Sequence, residues 1–337
     1  MSGLAEILPI LLALVLGAAV AMYVVLDGFD LGIGILFPIY RKEAERDQVM
    51  NSVAPFWDGN ETWLVLGGVS LWAGFPKAFA VILPAMYVPV LVMLLALIFR
   101  GVAFEFRWVA KPYHRKWDIA FAAGSIMAAF AQGLILGGVL QEIKVEGYRF
   151  AGGPLDWLTA FSVMCGLAMV VGYALLGATW LMMKSEGEVE RKARRLGVPL
   201  LFGLLGFIAL VSVWTPLQIE RIAARWFSVP NIFFLAQVPL ATALLAWLCW
   251  YAIRRGGAIL PFVSAVGIFL LALVGLVVSN VPYLVPPSLT VWQAAADPSS
   301  QVFYLVGVSI LLPVILAYTA MVFWLFRGRV KPGEGYH

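Results

Sequence analysis

Residues 23–34 read YVVLDGFDLGIG, and they sit inside an apolar run that begins near Ile7 and ends only at Arg41. A run of that length and composition is a membrane-spanning helix. It carries Asp27 and Asp30. A charged side chain at the centre of such a helix costs about 2.5–3.5 kcal/mol on insertion scales, so these residues are rare and face a bundle interior, a partner charge or a water-filled path. Working outward, Asp58 and Glu61 follow in FWDGNETW, then Arg100 and Glu105 in IFRGVAFEF. Protonatable groups at membrane depth make proton or ion traffic the first functional reading.

The composition agrees. The chain is 62% hydrophobic and 12% charged, where soluble domains carry roughly 25% charged residues. Nine spans fit the apolar runs, at about 5–38, 56–73, 78–106, 117–142, 155–184, 194–215, 231–254, 259–281 and 301–327. The expected fold is an all-α integral membrane protein, one transmembrane domain over 1–337. A β-barrel would show short alternating strands, and these runs are too long and too uniformly apolar. No Lys or Arg precedes Arg41, so the first run lacks the basic segment of a secretory signal and reads as a retained helix.

The basic residues set an orientation. Loops after the first, third, fifth and seventh spans, with the C-terminal tail, hold Arg41, Lys42, Arg46; Arg107, Lys111, Arg115, Lys116; Lys184, Arg191, Lys192, Arg194, Arg195; Arg254, Arg255; and Arg327, Arg329, Lys331. The opposite side holds only Lys77, Lys144, Arg149, Arg221 and Arg225. By the positive-inside rule the first set is cytoplasmic, which puts the N-terminus outside and the C-terminus inside. The clean alternation supports the count of nine. The acids then share one depth near the cytoplasmic surface: Asp27 and Asp30 in the inner half of the first span, Asp58 and Glu61 at the start of the second, Glu105 at the end of the third, Asp118 at the start of the fourth. Tyr23, Asp27 and Asp30 fall on one helix face, as do Trp57 and Glu61, or Asp58 and Glu61.

The functional reading is a proton entry path, since burial raises a carboxyl pKa toward neutrality. The structural alternatives are that Arg100 is a counter-ion to one acid and that Asp58 caps the second span. Other chemistry is poorly supported. The only histidines are His114, in a loop, and His337, at the end, so no span offers an imidazole for haem. No Cys/His metal spacing or Walker motif is present, and a redox machine would need its metals in another subunit. Cys165 and Cys249 lie within spans and read as buried thiols, not a disulfide. Gly28/Gly32 and Gly133/Gly137 have the spacing of close helix crossings. Pro84 and Pro89 are expected to bend the third span. Trp72, Trp108, Trp117, Trp157, Trp226 and Trp324 form an interfacial belt. Residues 41–52 suggest a short surface helix on the cytoplasmic face, and 282–300 an irregular outer loop. With a formal charge of only +4, nucleic acid is not implied.

Three stretches carry a resemblance. DGFDLGIG (27–34), NSVAPFWDGNETWLV (51–65) and FRGVAFEFR (99–107) resemble subunit II of the cytochrome bd-type quinol oxidases, a group that includes the cyanide-insensitive oxidases; SLTVWQAA (288–295) is a weaker match. The resemblance implies nine helices in two bundles plus one additional helix. It implies a haem-free subunit of a bacterial inner-membrane complex that oxidises quinol and reduces dioxygen to water, contributing to a proton gradient. Haem b, haem d and the quinol site are expected in the partner subunit I. A small third subunit, contact with membrane lipid and a structural quinone are allowed by it. Residues matching Asp30, Trp57 and Asp58 line the family's cytoplasmic proton path, with Glu105 standing where the family has aspartate; Asp27 and Glu61 are weaker members, and Arg100 the counter-ion. No residue of this chain is expected to be catalytic or to bind a metal. The competing readings are a proton- or ion-coupled secondary transporter and a purely structural scaffold.

Overall fold

The computed structural model describes residues 2–110 and 114–331; Lys111 and His337 lie outside them. The fold is all-helical apart from two small hairpins. The elements are α1 (Ser2–Leu36), α2 (Glu43–Asn51), α3 (Trp57–Val69), α4 (Pro76–Ala85), α5 (Tyr87–Val109), α6 (Arg115–Leu140), β1 (Val145–Glu146), β2 (Arg149–Phe150), α7 (Ala160–Lys184), α8 (Glu188–Gln218), α9 (Glu220–Phe227), α10 (Asn231–Leu235), α11 (Gln237–Arg254), α12 (Leu260–Asn280), β3 (Tyr283–Val285), β4 (Leu289–Thr290), α13 (Val291–Ala294) and α14 (Pro298–Leu325). Among the described residues eight helices are long and apolar enough to cross a membrane. They fall on every predicted span except the second. There α3 has only 13 α-helical residues, a rise of about 20 Å, and continues as a π-helical turn, Ser70–Gly74.

The third predicted span is broken rather than bent. α4 ends at Ala85, α5 begins at Tyr87, and Met86 between them leaves helical geometry (φ −107°, ψ 21°). The Pro89 ring clashes with a helical carbonyl at Ala85, four residues earlier. The predicted surface helix is α2, but Gln48, Val49, Met50 and Asn51 are buried, so it packs into the protein. The predicted irregular outer loop is more ordered than expected: it holds the β3–β4 hairpin and α13, whose capping box joins Thr290 and Gln293.

α7 is the central element, packing against α1, α6, α8 and α12. Small residues set those crossings. A Cβ at Gly32 would run into the Tyr173 carbonyl oxygen and lie 2.7 Å from the Gly177 amide nitrogen, and one at Gly28 would meet the Tyr173 ring at 2.8 Å. Gly137 sits as tightly against Ser162, and Gly133 against Cys165. Both spacings singled out in the sequence therefore lie at close helix crossings, Gly32, Gly133 and Gly137 against backbone and Gly28 against the Tyr173 ring, of the kind that lets dispersion hold helices together where no hydrophobic drive exists. The two cysteines are buried and free.

α14 lies at the edge, against α1 and the π turn. It is pinned at both ends. Ser70 and Tyr304 share a hydroxyl hydrogen bond of 2.6 Å. At the other end Phe323 joins Phe29, Phe56 and Trp180 in an aromatic cluster, in which Phe29 stacks on Trp180 at 4.0 Å. Beside it Lys184 donates to the carbonyls of Phe326 and, at 3.0 Å, Gly328. The tail then returns along α7: Val330 donates to the Lys184 carbonyl at 2.8 Å, and the Gln48 amide donates to Val330 and Glu186 carbonyls. Lys184→Met should free this tail. A hydrogen bond to a charged group is worth about 1.5–3 kcal/mol, so trypsin cleavage after the exposed Arg327 and Arg329 should accelerate by roughly tenfold or more. An unchanged cleavage rate would show that the backbone bonds suffice.

Arginines also close two helix ends, where the last carbonyls lack intrahelical donors. Arg194 of α8 donates to Ile253 and Gly257 carbonyls at the end of α11, and Arg225 of α9 to Val278 near the end of α12 at 2.7 Å.

Candidate functional site

Three acids of α1 and α3, Asp27, Asp30 and Glu61, converge on one guanidinium. Arg100 of α5 is fully buried, as are Asp27 and Asp30 of α1, each at 0% exposure. Its Nη1 donates to Glu61 Oε1 at 2.6 Å, and its Nη2 to Asp27 Oδ1 at 3.2 Å; Asp30 Oδ2 lies 3.6 Å from Nη2. Glu61, with 29% of its side chain exposed, is the member that reaches the surface. The sequence pattern dictates this local geometry: Asp27 and Asp30 are one turn apart on α1, and Arg100 sits where α5 passes α6 and faces inward. A pair with one acid was expected; three acids share the arginine.

Aromatic rings roof the cluster. The Trp57 and Phe104 rings stack at 5.1 Å, nearly parallel, and the Arg100 guanidinium lies 5.5 Å from one and 5.4 Å from the other. A cation beside such faces is stabilised by about 0.5–2 kcal/mol, more as it is desolvated. Trp57 is thus part of the Arg100 environment. Asn60, which the sequence reading passed over, donates to Asp30 Oδ2 at 2.7 Å and to the Leu26 carbonyl at 3.3 Å. Its signal was present: it adjoins Glu61 and lies two residues after Asp58.

Polar contact continues beyond Asp27. Tyr23, one turn earlier on α1, faces the Asp27 carboxylate. Its hydroxyl accepts from the Gln132 amide at 2.7 Å, and Tyr173 donates to the other end of that amide at 2.7 Å. Gln132 is the polar interruption in AAFAQGLILGG of α6, a signal legible in the sequence but not used.

Other predicted acids lie elsewhere. Asp118 is not in the Arg100 cluster. It belongs to a second network toward the end of the molecule where the basic loops gather, accepting from Arg107 Nε at 2.7 Å and Arg46 Nη1 at 2.8 Å, while Arg107 Nη1 donates to Asp47 at 2.5 Å. Arg107 is one residue class with Arg100, seven positions on and so on the same face of α5. This network joins α2, α5 and α6. Nearby, Lys192 of α8 bonds Glu45 at 2.7 Å. Burial works to raise the Glu45 pKa, but the hydrogen bond and charge of Lys192, with help from Lys42, outweigh it and hold the carboxyl below its ordinary range.

Asp58 and Glu105 are exposed on the surface of the chain. Asp58 is not the α3 cap: Phe56 holds that position, with no side-chain capping bond, and Asp58 lies in the first helical turn. A carboxylate there still favours the positive end of the helix dipole.

Among the described residues no group of three or more His, Cys, Asp or Glu side chains is placed to hold a metal ion. The spans hold no histidine, Glu61 and Asp27 accept from Arg100 and Asp30 from Asn60, and the Cys249 thiol, facing the Pro261 carbonyl, is enclosed in packed helix.

A family model described as cytochrome bd terminal oxidase subunit II matches residues 8–326. The chain is 28% identical over 363 aligned positions to the cytochrome bd-I ubiquinol oxidase subunit 2 of Escherichia coli, covering 96% of each. It is 26% identical to the cytochrome bd ubiquinol oxidase subunit 2 of Bacillus subtilis, covering 92% of this chain and 93% of that one. The fold is similar to a chain of the bd oxidase from Geobacillus thermodenitrificans, with a TM-score of 0.73 and 18% identity over 95% of this chain and 98% of that one. A model match across nearly the whole chain shows that this protein belongs to the cytochrome bd terminal oxidase subunit II family.

Proposed function

We propose that this chain is the haem-free subunit II of a terminal quinol oxidase in the bacterial inner membrane, paired with a subunit I that carries haem b, haem d and the quinol site. Family membership over residues 8–326 supports the oxidoreductase assignment. In this reading α3 with its π turn is a ninth crossing, the basic loops are cytoplasmic, and the N-terminus is external.

Within that complex we assign the chain a proton entry path, and the observation that carries it is the buried Asp27–Asp30–Glu61–Arg100 cluster with one partly exposed member. Oxygen reduction consumes protons, and their route through low-dielectric protein needs groups that hold charge for a short time. Glu61 opens the cluster to its surroundings, and Asp58 lies one turn away on α3. Where α3 and α5 reach the surface they expose Asp58 and Glu105 together with the apolar Val65, Val102 and Phe106. We place the contact with subunit I on this face, because a carboxylate turned to lipid is costly. A secondary transporter fits less well: its ion site lies at the midplane between repeats, and here the acids gather toward the basic end.

The test uses the whole complex. Asp58→Asn and Glu61→Gln keep size and much of the hydrogen bonding but release no proton. Each should leave haem content normal and lower quinol-driven oxygen uptake by about tenfold or more, within the range a positioned acid or base contributes. Normal uptake in both variants would leave the scaffold role standing. Loss of haem would make these residues structural.

A further inference from the structure

We propose that Asp30 stores a proton in the resting protein, with the hydrogen on Oδ1, and that Asn60 is the residue that positions it. The proposal deepens the proton-path reading above and rests on it for its purpose, though not for its test.

Charge is the first ground. Three carboxylates meet one guanidinium, and Asp27, Asp30 and Arg100 are all at 0% exposure. Full ionisation would leave two negative charges uncompensated, one of them on a buried residue, and buried groups in that position neutralise instead. The allocation of hydrogen bonds says which one. Arg100 gives its hydrogens to Glu61 at 2.6 Å and Asp27 at 3.2 Å, while Asp30 at 3.6 Å is beyond hydrogen-bond reach. Asp30 therefore has the charge of Arg100 nearby but no bond to it.

The two oxygens of Asp30 are also unequal. Oδ2 accepts from Asn60 at 2.7 Å, and Oδ1 has no hydrogen-bond partner among the described residues although the side chain is fully enclosed. An ionised carboxylate accepts at both oxygens, with about four sites to fill. A carboxylic acid is better matched here, with Oδ2 as its carbonyl and the hydrogen on Oδ1. Asn60 cannot be turned the other way, because its amide nitrogen also faces the Leu26 carbonyl at 3.3 Å, and a flip would set two acceptors together. It holds Oδ2 as an acceptor and leaves Oδ1 to carry the proton.

The titratable and charged groups facing this site come from several elements. Tyr23 and Asp27 lie on α1, Glu61 on α3 with the exposed Asp58 beyond it, and Arg100 on α5; Tyr173 of α7 stands behind Tyr23, bridged by Gln132 of α6. Glu61 is the one member both bonded to Arg100 and partly exposed, so exchange of the Asp30 proton with the surroundings runs through it.

Infrared spectroscopy of the intact complex, prepared from cells fed aspartate with a heavy-carbon carboxyl, tests this directly. At neutral pH the wild type should show a protonated-carboxyl carbonyl band that shifts with the aspartate label. Asp30→Asn should lose it, and Asp27→Asn should keep it. Asn60→Ala removes the donor that favours the ionised form, so the pH at which the band disappears should rise by roughly one to two units, and Asn60→Gln should restore part of that shift. A wild type with no label-sensitive band overturns the proposal, and so does a band lost in Asp27→Asn but kept in Asp30→Asn. If Asp30→Asn does not assemble, the labelled wild type and Asp27→Asn still decide. Failure of the path reading looks different: the band behaves as stated while Asp58→Asn and Glu61→Gln turn over normally.

Discussion

Arg100→Met should abolish recovery of most of the intact complex. Arg100 is the one guanidinium bonded to Asp27 and Glu61 and adjacent to Asp30, and it is completely enclosed. Breaking a buried ion pair by removing one partner costs about 3–5 kcal/mol, because the remaining charge is left uncompensated. Methionine retains bulk beneath the Trp57 and Phe104 rings, so the loss reports charge more than packing. The measurement is the yield of purified complex and its haem spectrum. The double variant Arg100→Met with Asp27→Asn removes the buried carboxylate that most needs the arginine, and should recover part of the yield. Wild-type yield for the single variant would mean that the acids are already neutral or hydrated, and that Arg100 is dispensable as a counter-ion.

The second large effect is steric. Gly32→Ala adds one methyl group where α1 crosses α7, and that methyl would overlap the Tyr173 carbonyl and sit 2.7 Å from the Gly177 nitrogen. Neither neighbour is a flexible side chain, so the helices themselves must separate. Overpacking costs about 1–3 kcal/mol where side chains can adjust, and this contact is between backbones, so the upper end or beyond is expected. The thermal inactivation temperature of the complex should fall by several degrees or more, and the yield with it. The effect reaches the candidate site, because Asp27 and Asp30 are carried on the same helix within two turns of Gly32. Gly206 is a useful control: a Cβ there meets nothing within 4 Å, and Gly206→Ala should leave the inactivation temperature nearly unchanged.

The membrane class, the positions of most helices and the presence of carboxylates and an arginine among them were legible from residue order alone. Hydropathy over about 20 residues is a local property, and an ionisable group within such a run is visible wherever the run packs. The Gly28/Gly32 and Gly133/Gly137 spacings were legible too, but only as a capacity for close approach; 32 glycines in one chain offer many such pairs. That these two pairs meet α7 follows from the crossing itself.

Tertiary structure decided the rest. Residue order placed Asp27, Asp30, Asp58, Glu61, Glu105 and Asp118 toward one end of their helices, and could not divide them. The rotation of each helix about its axis did so. It turned Glu61 toward Arg100 and left Asp58 and Glu105 on the surface, and it gave Asp118 to Arg107 and Arg46. Asn60, Gln132 and Lys184 acquired meaning only from partners 30 or more positions away in the chain. A helix pattern states which side chains share a face; which neighbour that face meets is set by the packing of all the helices together. A charge inside a membrane takes its chemistry from that neighbour.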